Sequence, residues 1–346
     1  MLAGLACCGI ATAFTSCNDE WTDEQYAHYI SFKAPLDVDG NSVGVTTVYV
    51  PMTRKDADGN PIKGIAHTSY ELPVLVAGST DNGSNLRINI AADPDTLQTL
   101  NTERFSTRDA LKYLDMTPYA SFDDHIDIPA GQNSALFHID LDFSSGIDWA
   151  DRWVLPLSIE PGNGYERNPR KNYAKALLRI LPYTTFSGSY ESGNISFYSQ
   201  NAQGVDDDKS GAFASPIQLY AIDENTAFFY AGNNDESRLD RKLYKITAHF
   251  QFNEGSSDRG TVTFTADNEN LNFVTSEDPA TFVIMETDDP VESYIKRRTI
   301  VINGIDYTYT DYTITDGANL RYHIKGLLTM QRKLNTQMPE EDQIEW

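Results

Sequence analysis

The segment FFYAGNNDESRLDR places Tyr230 at the end of an aromatic run, with Asn233, Asn234, Asp235 and Arg238 in the polar connection beyond it. An aromatic ring beside amides, a carboxylate and a guanidinium is the chemistry that holds a sugar. The apolar C–H face of a pyranose stacks on the ring, and its hydroxyls bond to planar polar groups at the ring's edge. Two other stretches offer such a ring. Trp149 stands in SGIDWADRW, in the loop before a strand where Trp153 reads as core. In YTYTDYTIT, Tyr307 and Tyr309 share one strand face and Tyr312 falls on the other, so Tyr312 is the exposed ring if the first pair turns inward.

Catalytic patterns are missing by comparison. The chain has 50 acidic residues, so a pair of carboxylates at glycosidase spacing carries no information in sequence alone. The histidines, His28, His67, His125, His138, His249 and His323, are scattered with no H-E-x-x-H, which argues against a zinc hydrolase. His138 and His249 read as solvated strand positions. No G-x-S-x-G elbow occurs. PGNGYERNP has Arg167 where a dinucleotide fingerprint needs its third glycine, and it reads as a loop. Asp206, Asp207 and Asp208 in GVDDDKSG lack the spacing and the closing glutamate of an EF-hand, so they read as a solvated turn. The expectation is no catalytic residue, no metal and no cofactor.

Net charge is −23, and a field of that sign repels phosphates, which excludes nucleic acid as a partner. All three cysteines, Cys7, Cys8 and Cys17, lie within the uncharged opening MLAGLACCGIATAFTSC, which is too short to span a bilayer and fits a secretion signal. Thr15 and Ser16 ahead of Cys17 resemble a bacterial lipobox, and CNDEW resembles the acidic export signal of Bacteroidetes surface lipoproteins. On that reading residues 1–16 are the signal peptide, Cys17 is acylated, and 17–28 are a tether that anchors the protein to the outer membrane at the cell surface. The remaining chain then has no cysteine and folds on its apolar cores without disulfides.

Alternating apolar residues run through most of the chain beyond the tether. LYKITAHFQF sets Ile246, Ala248, Phe250 and Phe252 on one face and Thr247, His249 and Gln251 on the other, the signature of a half-buried strand. RTIVINGIDYTYT reads as two strands joined at Asn303-Gly304 by a type I′ hairpin turn. One helix is expected at DPDTLQTLNTERF, capped by Asp93 with Pro94 in its first turn. A break at Pro182 divides an immunoglobulin-like β-sandwich, 29–182, from an antiparallel, lipocalin-like β-barrel, 183–346; the fold class is all-β. The acidic tail NTQMPEEDQIEW reads as an extension laid over the surface.

YASFDDHIDIPAGQNSALFHIDLDF and RWVLPLSIE resemble the N-terminal domain of Bacteroidetes lipoproteins from polysaccharide-utilisation loci. YTYTDYTIT and LLTMQRKLNTQMPEEDQIEW resemble the C-terminal domain that accompanies it. In this resemblance Pro129, Gly131, Leu155 and Pro156 are turn and core positions. The resemblance implies non-catalytic capture of an oligo- or polysaccharide beside an outer-membrane transporter and its lipoprotein partner. The alternatives are a structural or assembly subunit that meets only protein, and a glycoside hydrolase of undescribed type.

Overall fold

The computed structural model describes residues 28–33, 44–169, 173–209, 211–213, 215–314, 318–339 and 342–345. Cys17, the signal segment and nearly all of the tether lie outside the described residues. No helix among the described residues is long and apolar enough to cross a membrane.

The N-terminal half is a β-sandwich. Its elements in chain order are β1 (Tyr29–Phe32), β2 (Thr46–Pro51), β3 (His67–Val76), β4 (Leu86–Ala92), α1 (Pro94–Phe105), β5 (Tyr113–Asp115), β6 (Ala120–Ser121), β7 (His125–Ile128), β8 (Ser134–Asp142), β9 (Arg152–Ile159), β10 (Glu166–Arg167) and β11 (Lys175–Tyr183). One sheet runs β10-β1-β3-β8-β6 and the other β2-β11-β9-β4-β7, with β5 alongside β9. Alternate residues of the two sheets meet in one core, where Leu72, Val74, Phe137 and Ile139 face Ile88, Leu155, Leu157 and Leu178. The Ile-Pro-Ala-Gly stretch is the turn from β7 to β8, with Gly131 at φ +82°.

Strands β9 and β11 are apolar on both faces because both faces are covered. Inward, Leu155 and Leu178 join the sandwich core; outward, Val154 and Leu177 lie under Leu97 and Phe105 of α1. The helix starts where the Asp93 side chain accepts the Thr96 N–H at 3.1 Å, with Pro94 at its first position. Farther along the same outer face the helix gives way to the second domain.

That domain is a curled antiparallel sheet. It comprises β12 (Gly188–Tyr190), β13 (Ile195–Gln200), β14 (Gly211–Ala212), β15 (Ile217–Asp223), β16 (Thr226–Tyr230), β17 (Lys245–Phe252), β18 (Arg259–Thr265), β19 (Val274–Thr275), β20 (Ala280–Asp288), β21 (Ile295–Asp311), β22 (Leu320–Asn335) and β23 (Ile344–Glu345). The order is β12-β15-β16-β17-β18-β20-β21-β22-β13-β14, with β19 on β21 and β23 on β22. β12 pairs with β15, while the next residue, Glu191, donates its N–H to Thr329 of β22 at 2.8 Å, so the sheet curls back on itself. Rings fill the interior, including Phe186 stacked on Phe250 at 3.9 Å and Tyr307 beside Phe229 and Phe273.

Asn303-Gly304 is not a hairpin turn. Both expected runs belong to the single strand β21, and Gly304, at φ +80°, is the extra residue of a bulge against β22. The tail also does more than lie on the surface: β23 pairs with β22, and Arg54 of the sandwich donates to Asp342 at 3.2 Å.

Candidate functional site

The two domains share apolar packing. Tyr220, Phe228 and Tyr230, on the outer face of β15 and β16, join the core cluster of the sandwich, so the seam between the domains is preformed. Where the seam opens it leaves a cleft of about 480 Å³.

Neighbouring strands of one sheet build the sandwich wall. Thr47 and Tyr49 of β2 stand opposite Arg179 and Leu181 of β11, and Arg152 begins β9. The barrel supplies Phe213, Gln218 and Tyr220, together with the loop Gly232–Ser237 beyond Tyr230. Gly232 seats that loop. It has φ +63°, its N–H donates to the Tyr307 hydroxyl at 3.3 Å, and a Cβ there would fall 2.0 Å from the Tyr309 hydroxyl.

Charges on the cleft floor are paired across the seam. Arg179 donates to Glu236 Oε1 at 3.0 Å and to Oε2 at 2.5 Å. Arg152 donates to the Glu236 carbonyl at 2.9 Å and lies 3.7 Å from Oε1, and the Tyr220 hydroxyl donates to Oε2 at 3.3 Å. Burial pushes the Glu236 carboxyl up, but the hydrogen bonds and charge of Arg179, with Arg152 behind, overcome this and hold it below the usual range. Around these ions stand the rings of Tyr49, Phe213, Tyr220 and Tyr230, the Gln218 amide and the exposed Asn233. Rings flanked by amides and a bidentate ion pair can stack a pyranose and bond its hydroxyls.

The structure brings some of the expected residues here and puts others to different use. Tyr230, Asn233, Asn234 and Asp235 line the cleft. Tyr230 is only 4% exposed and belongs to the seam packing, so it is no open platform. Asn234 donates to the Ala231 carbonyl at 2.6 Å and accepts from Arg238, which makes it a brace of the loop. Arg238 lies off the cleft, bonded to Asp311 at 2.7 Å and Asp240 at 2.6 Å over the Tyr244 ring. Tyr312 is partly buried, its ring 5.9 Å from Tyr244 and its hydroxyl accepting from Asn268, not the free ring expected.

Trp149 is corrected most sharply. It is 5% exposed, edge-on to Phe143 at 5.0 Å. The surrounding loop is a clasp between the domains: Asp148 pairs with Lys245 at 3.0 Å and Lys242 at 3.1 Å, and Ala150 accepts from Arg241 at 2.9 Å. In the aspartate turn Asp207 and Asp208 are exposed, as expected of a solvated turn, while Asp206 accepts from His323, Gln200 and Lys325 and pins the loop to β22. His138 and His249 are exposed, as expected of solvated strand positions.

Sequence reasoning misses Tyr49, Arg152, Arg179 and Glu236. Arg179 carries a readable signal, because a guanidinium inside the apolar run ALLRIL needs a buried partner. The partner itself is a feature of the fold. A second cavity of about 750 Å³ opens elsewhere along the seam between Lys55, Asp56, Arg298 and Arg332, with Tyr183 as its aromatic ring. Although larger, it has fewer of the groups that suit a sugar.

The family model of a domain of unknown function, DUF4973, matches residues 21–163, and a second, C-terminal-domain family model matches 174–329. The chain is similar to the crystal structure of an auxiliary nutrient binding protein from Bacteroides thetaiotaomicron, with 40% identity and a TM-score of 0.80, covering 93% of this chain and 100% of that one. It is similar to a multidomain protein including DUF1735 from Bacteroides ovatus, at 33% identity and TM-score 0.75, covering 92% and 100%. A protein of unknown function from Bacteroides ovatus matches at 33% identity and TM-score 0.73, over 93% and 98%. No curated protein sequence matches the chain.

Proposed function

Because this chain belongs to the two-domain family that includes the Bacteroides auxiliary nutrient binding protein, we propose that it captures a glycan nutrient at the cell surface without cleaving it. The observation that carries this reading is the seam cleft, where the Tyr49 ring, the Gln218 and Asn233 amides and a bidentate ion pair converge on a preformed surface. Glu236 is not placed as the acid of a glycosidase: such an acid must hold a proton, whereas Arg179 holds this carboxyl below its usual range.

In this reading Cys17 carries the lipid anchor, and the tether holds the cleft beside an outer-membrane transporter and its lipoprotein partner. Many weak sites on one membrane retain a polymer by avidity. Affinity electrophoresis against a polysaccharide panel, with reducing-end analysis of the same samples, tests the proposal. Retardation by a glycan without new reducing ends supports capture, and new reducing ends would make the protein a hydrolase. No retardation by any member would overturn glycan binding and favour a protein partner. Cys17→Ala tests the anchor, since it should move the protein from the membrane fraction to the soluble one.

A further inference from the structure

The arginines of the cleft are already engaged. Both terminal nitrogens of Arg179 bond to Glu236, and Arg152 turns onto the same residue at 2.9 Å. A guanidinium recognises a ligand carboxylate or sulfate by offering that same fork, so an acidic sugar would have to displace Glu236 from both. At the mouth, Asp235 is exposed, its carboxylate bonded to Ser237 within its own turn. It adds a negative charge to a chain whose net charge is −23. The polar groups that line the rest of the cleft, among them Tyr49, Gln218 and Asn233, are uncharged. We propose that the seam cleft selects uncharged glycans and that Glu236 sets this specificity by occupying the two arginines an acidic glycan would need.

This inference rests on the cleft being the glycan site. Calorimetric titration of the purified chain with size-matched neutral, uronic-acid and sulfated oligosaccharides tests it, using wild type, Glu236→Gln and Asp235→Asn. Wild type should bind a neutral oligosaccharide at least about tenfold more tightly than any acidic one, because unpaired like charges meet in the acidic complexes. Glu236→Gln removes the carboxylate that engages Arg179, while Arg152 keeps its bond to the backbone carbonyl, and should raise affinity for acidic glycans by about tenfold, charge-assisted bonds being the stronger kind. Asp235→Asn, on the exposed rim, should raise it by less and without disturbing the fold. Equal or tighter binding of a uronate or sulfated oligosaccharide by wild type would overturn the selectivity while leaving glycan capture intact. Binding of no oligosaccharide of any class would overturn the capture reading, and this inference with it. Should Glu236→Gln fail to fold, the wild-type preference and Asp235→Asn still decide the matter.

Discussion

Arg179 of the sandwich and Glu236 of the barrel meet across the domain seam in a bidentate ion pair at 3.0 and 2.5 Å. Arg179→Ala removes the bidentate partner of the carboxylate and leaves it only Arg152 at 3.7 Å and the Tyr220 hydroxyl at 3.3 Å. Since Glu236 keeps 32% side-chain exposure, the cost should be about 2–3 kcal/mol, below that of a sealed pair. Denaturant unfolding measures it. The double variant Arg179→Met, Glu236→Met should recover much of the loss, and a full, additive loss would mean that the pair does not couple the domains.

Trp149→Ala separates packing from binding. The side chain is buried against Phe143, so its removal should cost about 3–5 kcal/mol. The molecules that remain folded should bind glycan as before. A stable variant with abolished binding would instead restore Trp149 as a sugar platform.

Gly232→Ala places a methyl group against the Tyr309 hydroxyl at a backbone φ of +63°. The strain should cost about 2 kcal/mol or more, measured as a lowered unfolding midpoint. Adding Tyr309→Phe should recover part of it by removing the nearest atom. No recovery would assign the cost to the backbone alone.

Acid should loosen the seam. Burial works to raise Glu236 and Asp148, yet the bonds and charge of Arg179 with the charge of Arg152 for one, and the bonds to the Ala150 N–H, Lys245 and Lys242 for the other, hold both below their ordinary values of 4.5 and 3.8. Asp206, opposed by burial but bonded by Gln200, His323 and Lys325, is held at about 2. A depressed folded-state value adds stability that is complete above the unfolded value and is lost as pH falls through the folded one. The unfolding midpoint should therefore drop below about pH 4.5 and keep falling toward pH 2. A midpoint unchanged across that window would contradict these pairings.

What could be read from the chain was local. The alternation of LYKITAHFQF put Ile246, Ala248 and Phe250 inside, and Asp93-Pro94 started the helix, because side-chain period and capping need only near neighbours. Asn303-Gly304 misled because positive φ at glycine serves a hairpin turn and a bulge equally well. The long partner β22, running past both halves of β21, decides between them. Trp149 and Tyr230 misled for a different reason. A ring beside a polar loop looks exposed until tertiary packing covers it, and the clasp of Asp148 with Lys242 and Lys245 joins residues far apart in the chain. The loop at Asn233 and Asp235 was found because its polar run is contiguous, whereas the opposite wall, from Tyr49 to Arg179, is assembled by strand pairing.

Tyr49 lines the cleft with 37% of its surface exposed, so Tyr49→Ala removes a partly buried ring and should cost about 1–2 kcal/mol while leaving the fold intact. The direct test of the seam as the glycan site is a calorimetric titration of wild type and Tyr49→Ala with the oligosaccharide that electrophoresis retains. Loss of the stacking ring should weaken binding about tenfold in a protein that still unfolds cooperatively. Superimposable isotherms from the two proteins would place the glycan elsewhere and contradict the assignment of the cleft.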